Sequence, residues 1–461
     1  MNQGCDTIAA IATASGTAGI SVVRISGPGC FAIADRIFRG KGNPPSKRKA
    51  GTFVYGHVVE PADGQRTERI IDEVILLLFR APNSYTCEDV VEIQGHGGPV
   101  NAREILHAVI AAGARLAEPG EFTKRAFLNG RIDLVQAEAV ADLIAARSER
   151  AARLALEQLE GRLSADLTKI YDDMVAVAVD LEASLDFDSG ELPSRVGTDL
   201  ADRLHDVRKR LIMLLDSWHE GHVLREGLLV VIAGQPNVGK STLLNRLLGR
   251  DRAIVADVPG TTRDTIEEQL VVDGVCVRLV DTAGLRDPIC SVEKQGIDRA
   301  AHQVEQADLI LYMADGSKQL DYNDLKHLTS LRDRPHIVVL NKMDLGDVVD
   351  TSSLKSQDVV RCSLMTTSGA APVLARIAEI IRSMVHAEAQ SAISERHRLF
   401  IQNALNILNS INLADFTIDS DRTVLVAGAV RQSADAIGSI LGRTYGDDIL
   451  DGVFKKFCVG K

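Results

Sequence analysis

The 461-residue chain carries 52 Lys and Arg against 63 Asp and Glu, a formal net charge of −11, with 45% apolar and 25% charged residues. That length exceeds one ordinary domain and implies roughly two to four. The acidity argues against indiscriminate nucleic-acid binding, and no run of about 18 apolar residues exists to span a membrane.

The N-terminal stretch has no Lys or Arg before Arg24, so the charged start of a signal peptide is missing. Seven scattered Cys without a CxxC pair point to reduced thiols and a cytoplasmic location, not to disulfides or zinc. The basic runs at 46–49 and 208–210 read as ordinary surface charge.

Residues 1–118 alternate β-type runs with turn signals: "GISVVRISGP", "TFVYGHVVE", "EVILLLF" and "VVEIQGHGGP", with one helix-like stretch at 102–112. They predict an α+β domain. From 119 to 220 the texture is helical. Leu156, Leu159, Leu163, Leu167, Ile170, Met174, Val177 and Leu181 recur at steps of three and four, which predicts one long amphipathic helix in a bundle. Residues 221–384 read as a doubly wound α/β domain. "LLVVIAG", "DLILYMADG" and "HIVVLNKMD" are buried parallel strands, and Asp273-Gly274 between two β-like runs is a hairpin turn. After 385 the helical texture returns, with Val430, Ala434, Ile437 and Leu441 on one face. The α/β unit therefore reads as an insertion that splits a helical domain into 119–220 and 385–461.

The inserted unit carries four ordered nucleotide motifs. "GQPNVGKS" (234–241) fits the phosphate-binding loop between a strand and a helix. Gly234 and Gly239 allow the tight turn, while Asn237, Val238 and Gly239 turn backbone amides toward the phosphates. Lys240 reaches the β- and γ-phosphates, the Ser241 hydroxyl binds Mg²⁺, and Thr242 follows in the helix. In "ADVPGTTRD", Ala256, Asp257, Val258, Pro259 and Gly260 lead to Thr261 and Thr262. One of the two threonines completes the Mg²⁺ shell, and Thr262 is assigned that role. "DTAG" supplies Asp281, Thr282, Ala283 and Gly284 beside Mg²⁺ and the γ-phosphate. "NKMD" supplies Asn341, Lys342 and Asp344, whose carboxylate accepts two hydrogen bonds from guanine that adenine cannot offer. Ser363 and Leu364 in "CSLM" sit where a further loop meets the guanine oxygen. The set predicts a GTPase. Leu285 stands where many GTPases carry a water-orienting Gln.

The flanks resemble the MnmE (TrmE) family of tRNA-modifying GTPases over essentially the whole chain. The resemblance rests on "DTIAAIAT…GISVVRISGP", "SYTCEDVVEIQGHGGPV", "PGEFTKRAFLNGRIDLVQAEAVADLI" and the terminal "FCVGK". It implies a homodimer joined through N-terminal domains that bind a tetrahydrofolate (5,10-methylene or 5-formyl form). It also implies a heterotetramer with an FAD-dependent MnmG (GidA)-type partner. The joint product would be a (carboxymethyl)aminomethyl group on C5 of the tRNA wobble uridine. Folate contacts carry over to Arg24, Glu88, Arg131 and Lys461.

Asn237, Ala256, Val258 and Thr261 match the family's K⁺ ligands, and Glu293 its catalytic, water-orienting Glu. Cys458 carries over either as a nucleophile or as packing beside the folate. The chain departs from the family at 13–20, which is less Gly-rich, and at Cys87, where Gly is usual. A ribosome-assembly GTPase shares the nucleotide motifs but not these flanks. A self-assembling structural GTPase finds little support, because the sequence shows no membrane-binding helix or lipid motif.

Overall fold

The structure is a computed structural model that describes residues 6–60, 67–185, 194–249, 268–281, 304–349, 354, 357–385, 393–411, 420–455 and 457–461. Two compact units emerge, each assembled from separated stretches of chain: 1–141, 158–194 and 417–461 in one, and 142–157 and 195–416 in the other.

The first unit is built on a seven-stranded sheet in the order β3-β4-β5-β6-β2-β1-β7. Its strands are β1 (Ile8–Ile11), β2 (Ile20–Ser26), β3 (Phe38–Gly40), β4 (Thr52–Glu60), β5 (Arg69–Phe79), β6 (Val90–His96) and β7 (Arg115–Leu116). All neighbours are antiparallel except β1 and β7. Period-two alternation sets the faces. Val23, Ile25, Val54, Val74, Leu76 and Ile93 are buried in one core with Ile37, Ile105 and Val109 of helices Cys30–Ile37 and Pro99–Ala111. The opposite face leaves Phe53 72% and Tyr55 59% exposed, beside their register partners Leu77 and Ile75.

Helices Arg162–Ser184 and Ser420–Leu441 pack together in the same unit. Leu163, Leu167, Ile170, Met174, Val177 and Leu181 are buried along one, and Val430, Ala434, Ile437 and Leu441 along the other. Arg431–Glu182 and Arg443–Asp172 pairs flank them. The single long helix expected from the leucine stripe is two: Glu149–Leu159 and Arg162–Ser184. Gly161, at φ 91°, interrupts it, a conformation that favours glycine. Leu156 accordingly falls off the stripe and is 46% exposed. The Arg422–Leu441 stretch reaches a mean hydropathy of 1.2 over a membrane-spanning length. Half of it is buried inside the unit, as befits a core helix.

The second unit holds a six-stranded sheet in the order β13-β12-β11-β8-β10-β9. The strands are β8 (Leu228–Gly234), β9 (Glu268–Val272), β10 (Val275–Asp281), β11 (Leu309–Asp315), β12 (His336–Asn341) and β13 (Asp358–Arg361). Only β9 runs antiparallel to its neighbour; Asp273 (φ 49°) and Gly274 (φ 77°) make the two-residue turn that joins it to β10.

Leu228 to Ile232 are buried without alternation because both faces of β8 are covered. One face of β8 shares a core with helices Lys240–Leu248 and Ala371–Met384, while Leu229 and Val231 on its other face pack with Val280, Val304 and Ala307. Central β8 has β10 on one side and β11 on the other, so the crevice at its C-terminal end is the switch point where such folds bind ligands. The basic run at 208–210 is structural: Arg208 donates to the carbonyls of Leu408 and Ile411 (the latter 2.8 Å), and Arg210 pairs with Asp206 at 2.9 Å.

Candidate functional site

The loop leaving β8 needs three left-handed residues in quick succession: Gly234 (φ 139°), Asn237 (φ 63°) and Gly239 (φ 108°). A Cβ on Gly234 would stand 2.2 Å from the Met313 carbonyl oxygen, so β11 approaches too closely for any side chain. Asn is among the few other residues that tolerate the left-handed region. The loop ends at the N-terminus of helix Lys240–Leu248, where free amides and the helix dipole favour an anion. Buried Lys240 donates from Nζ to the carbonyls of Gly234 (3.0 Å) and Gln235 (2.7 Å). Both are neutral acceptors, so phosphate oxygens compete well for the ammonium. Ser241 Oγ donates to Asp281 Oδ2 at 2.9 Å, which joins two of the oxygen donors expected around Mg²⁺. Thr242 is exposed in the same first turn.

The base end is tied to the phosphate end by one buried side chain. Asn341, at the tip of β12, donates from Nδ2 to the Val238 carbonyl (2.8 Å) and accepts at Oδ1 from the Leu364 amide (3.1 Å). Lys342 adopts φ 66° and its Nζ meets Asp315 Oδ2 at 2.8 Å. The following Asp344 is exposed and accepts from the Ser363 hydroxyl. Behind them Cys362 is buried, which pushes its thiol up to about 11 and keeps it an inert neutral group. Gln235 Nε2 reaches both carboxylate oxygens of Asp321 (2.8 Å each), the residue that caps helix Tyr322–Ser330.

A second cluster forms in the first unit from segments far apart in sequence. Arg24 on β2 donates from Nε to Glu92 Oε1 at 2.8 Å and lies 5.5 and 5.6 Å from the Tyr85 and Phe122 ring centroids. Arg131 lies 5.0 Å over the same Tyr85 ring and donates to the Tyr85 carbonyl at 2.7 Å. Arg24 Nη1 also reaches the Gly460 carbonyl at 3.5 Å, next to Lys461. Burial and the Arg24 charge hold the Lys461 ammonium below the usual lysine range. An anion placed among these cations relieves both effects.

Glu88 accepts from Ser26 Oγ (2.6 Å) and, at both oxygens, from Arg125 Nη1 (3.2 Å each). Arg125, with a side chain 7% exposed, also holds Asp6 Oδ1 (2.7 Å) and Glu121 Oε1 (3.0 Å). Cys458 is exposed, and its carbonyl accepts from the Gly120 amide at 3.3 Å.

Comparison with known proteins finds two family models along the chain. Residues 7–131 match the family model for the GTP-binding protein TrmE N-terminus, and residues 134–458 match that for the MnmE helical domain. The tRNA modification GTPase MnmE of Alkaliphilus oremlandii (strain OhILAs) is 41% identical over 468 residues, covering 99% of each chain. The protein of the same name from Acetivibrio thermocellus is 39% identical over 463 residues, again covering 99% of each. The chain belongs to the MnmE (TrmE) family of tRNA modification GTPases.

Against the family's expected residues, the structure brings Arg24 and Arg131 over the Tyr85 ring, Lys461 close to Arg24 and Glu92, and Glu88 three residues beyond Tyr85 in sequence. It likewise gathers Asn237, Val238, Gly239, Lys240, Ser241 and Asp281 at one end of the sheet, and Asn341, Asp344, Ser363 and Leu364 around the base loops. Ala256, Asp257, Val258, Pro259, Gly260, Thr261, Thr262, Thr282, Ala283, Gly284 and the proposed water-orienting Glu293 lie outside the described residues. Sequence reasoning missed Tyr85, Glu92, Phe122 and Arg125. Their signal was present in the quoted "SYTCEDVVEI" and "PGEFTKRAF" stretches, but nothing in one dimension pairs them with Arg24 or Glu88. Cys87 adopts φ 59°, a conformation that glycine enters freely and that costs a non-glycine residue about 1 kcal/mol or more.

Proposed function

We propose that this family member is a K⁺-stimulated GTPase that works with an FAD-dependent MnmG-type partner, in a heterotetramer, to modify C5 of the wobble uridine of certain tRNAs. The observation that carries the reading is the Arg24–Tyr85–Arg131–Lys461 cluster with Glu88, in a unit separate from the GTP apparatus. A GTPase that only switches between partners has no use for a second, cationic, aromatic-lined site.

In this reading the GTPase domain spans 221–384, inserted between helical segments 119–220 and 385–461, behind a folate-binding domain at 1–118. When bound, a 5,10-methylene- or 5-formyltetrahydrofolate supplies the one-carbon unit. Arg24, Arg131 and Lys461 hold its carboxylates by charge-assisted bonds, and Glu88 accepts from the pterin N–H groups. Exposed Cys458 either packs beside the folate or acts as a nucleophile activated by a neighbouring base.

At the other site, Lys240 orients the phosphates, and Ser241 and Thr262 hold Mg²⁺. Asp344 selects guanine. Asn237, with the carbonyl oxygens of Ala256 and Val258 and with Thr261, holds K⁺ where other GTPases place an arginine finger. Glu293 takes over the water that Leu285 cannot orient. The uncovered sheet face around Phe53, Tyr55 and Ile75 supports a homodimer formed by the N-terminal domains, because large apolar patches on one sheet face mark association surfaces. The cytoplasm, where tRNA matures, is the proposed location.

The test is nucleoside analysis of tRNA from cells lacking the gene, beside folate binding by the purified chain. Loss of the C5 modification together with bound folate supports the reading. Fully modified tRNA, or a chain that binds no 5-formyltetrahydrofolate, overturns it in favour of a ribosome-assembly role.

A further inference from the structure

Around Glu88 the hydrogen bonds close into a ring whose direction can be worked out. The Glu88 backbone N–H donates to Thr86 Oγ1 at 3.3 Å. Thr86 Oγ1 and Ser26 Oγ are 2.7 Å apart, and either could donate on distance alone. Ser26 Oγ lies 2.6 Å from Glu88 Oε2. A carboxylate has no proton to give, so the single Ser26 proton goes to Glu88. Thr86 must then donate to Ser26. The ring reads Glu88 N–H to Thr86, Thr86 O–H to Ser26, Ser26 O–H to the Glu88 carboxylate.

The ring is braced. Ser26 and Thr86 are fully buried. Asn129 Nδ2 holds the Thr86 carbonyl at 2.6 Å and Arg131 holds the Tyr85 carbonyl at 2.7 Å. Arg125 supplies the opposing charge, 3.2 Å from both Glu88 oxygens. In a low-dielectric setting, hydrogen bonds in series polarise one another and strengthen. Loop 85–88, which includes the left-handed Cys87, therefore presents one rotamer of one acceptor.

We propose that Ser26 and Thr86 are positioning residues that lock the Glu88 carboxylate as an obligate hydrogen-bond acceptor, so that the site selects the adjacent amine and ring N–H of a reduced pterin. This rests on the reading of Glu88 as a folate contact. A ligand that offers an acceptor at either position meets a carboxylate that cannot turn away. The rejection comes from leaving buried polar groups unpaired, the kind of mismatch that discriminates most strongly.

The test is a double-mutant cycle on the full chain, with 5-formyltetrahydrofolate binding read by calorimetry. Thr86→Val removes the hydroxyl at nearly constant shape, Ser26→Ala opens the ring at its other member, and Thr86→Ser keeps a hydroxyl. Ser26→Ala should weaken binding on the order of tenfold, the size of one hydrogen bond to a charged group, and Thr86→Val, which loses a bond between neutral hydroxyls, by about threefold to tenfold. Thr86→Ser should bind like the parent. In a Glu88→Gln background, adding Thr86→Val should weaken binding no further, because the residue it positions is already gone.

A purely structural role would lower the melting temperature of all these variants while leaving binding alone, or would add its full loss in both backgrounds. Either outcome overturns the proposal. A parent chain that binds folate and a Glu88→Gln variant that binds equally well would instead remove Glu88 from the folate site, and the ring's purpose with it. If Ser26→Ala does not fold, the Thr86 pair carries the comparison alone.

Discussion

The two sites of this chain are built on opposite principles. The nucleotide site is made of backbone. Three left-handed residues within six positions fold the chain into a cradle of amides, and the geometry travels with a contiguous string of letters. The N-terminal cluster is made of side chains from β2, loop 85–88, the turn at 131 and the last residue, each held by a partner from elsewhere. A backbone site leaves a motif in the sequence; a side-chain site leaves scattered letters whose meaning appears only when the sheet forms.

The largest effects should test whether the two sites are as separable as their construction implies. Lys240→Ala removes the ammonium proposed to meet the phosphates, and GTP turnover should fall by on the order of a hundredfold or more. Gly239→Ala forces a Cβ to 2.5 Å from Asn341 Nδ2 at φ 108° and should do comparable damage. Folate binding should stay at the parental value in both. A joint loss, measured by calorimetry on the same preparations, would erase the contrast.

Next in size is the cation. Turnover in KCl should exceed that in NaCl by on the order of a hundredfold, somewhat less than the roughly 10³–10⁵ an arginine finger contributes elsewhere. Glu293→Ala should bind GTP at parental affinity yet turn over slowly. Equal rates in the two salts would remove K⁺ from the site, and parental turnover would remove Glu293.

The side-chain site should respond to pH where the backbone site does not. Lys461 is held below the usual lysine range by burial and by Arg24, so its charge is lost at lower pH than an exposed lysine's. Folate affinity should therefore fall as pH rises through that depressed value. Lys461→Arg should move the fall to higher pH, because a guanidinium stays charged. Binding titrations at stepped pH decide it.

A smaller effect belongs to Cys87. Replacing it with Val puts a β-branched residue at φ 59° and should cost about 1–3 kcal/mol, read by thermal unfolding.

The smallest concerns Asp72 and His96, which sit away from either site. The Asp72 carboxylate bonds His96 Nδ1 at 2.7 Å, and this raises the His96 pKa. Stability from a raised histidine is present below its unfolded value of about 6.5 and is lost as pH rises through the folded value. Unfolding temperature should thus sag slightly as pH rises above about 6.5 in the parent, and Asp72→Asn should remove the sag.

The same division explains what was legible in the sequence. Strands β8 to β12, the Asp273-Gly274 turn and the phosphate loop follow from periodicity and turn chemistry, while the short edge strand β13 left no signal the sequence reading used. The leucine stripe was misread as one helix, because steps of three and four continue across Gly161 while its φ of 91° does not. The Arg125 bonds to Glu88 and Asp6 were invisible because these ion pairs join positions 37 and 119 residues apart, and composition carries no trace of the pairing.

Asn341 shows what a single amide can encode. One end of its side chain can only give a proton and the other can only take one, and the two ends face different loops: the Val238 carbonyl and the Leu364 amide. A carboxylate of the same shape would point an acceptor at an acceptor and push the phosphate cradle away from the base pocket. The residue therefore behaves as a polarised rivet, and grip on the purine and grip on the phosphates stand or fall together.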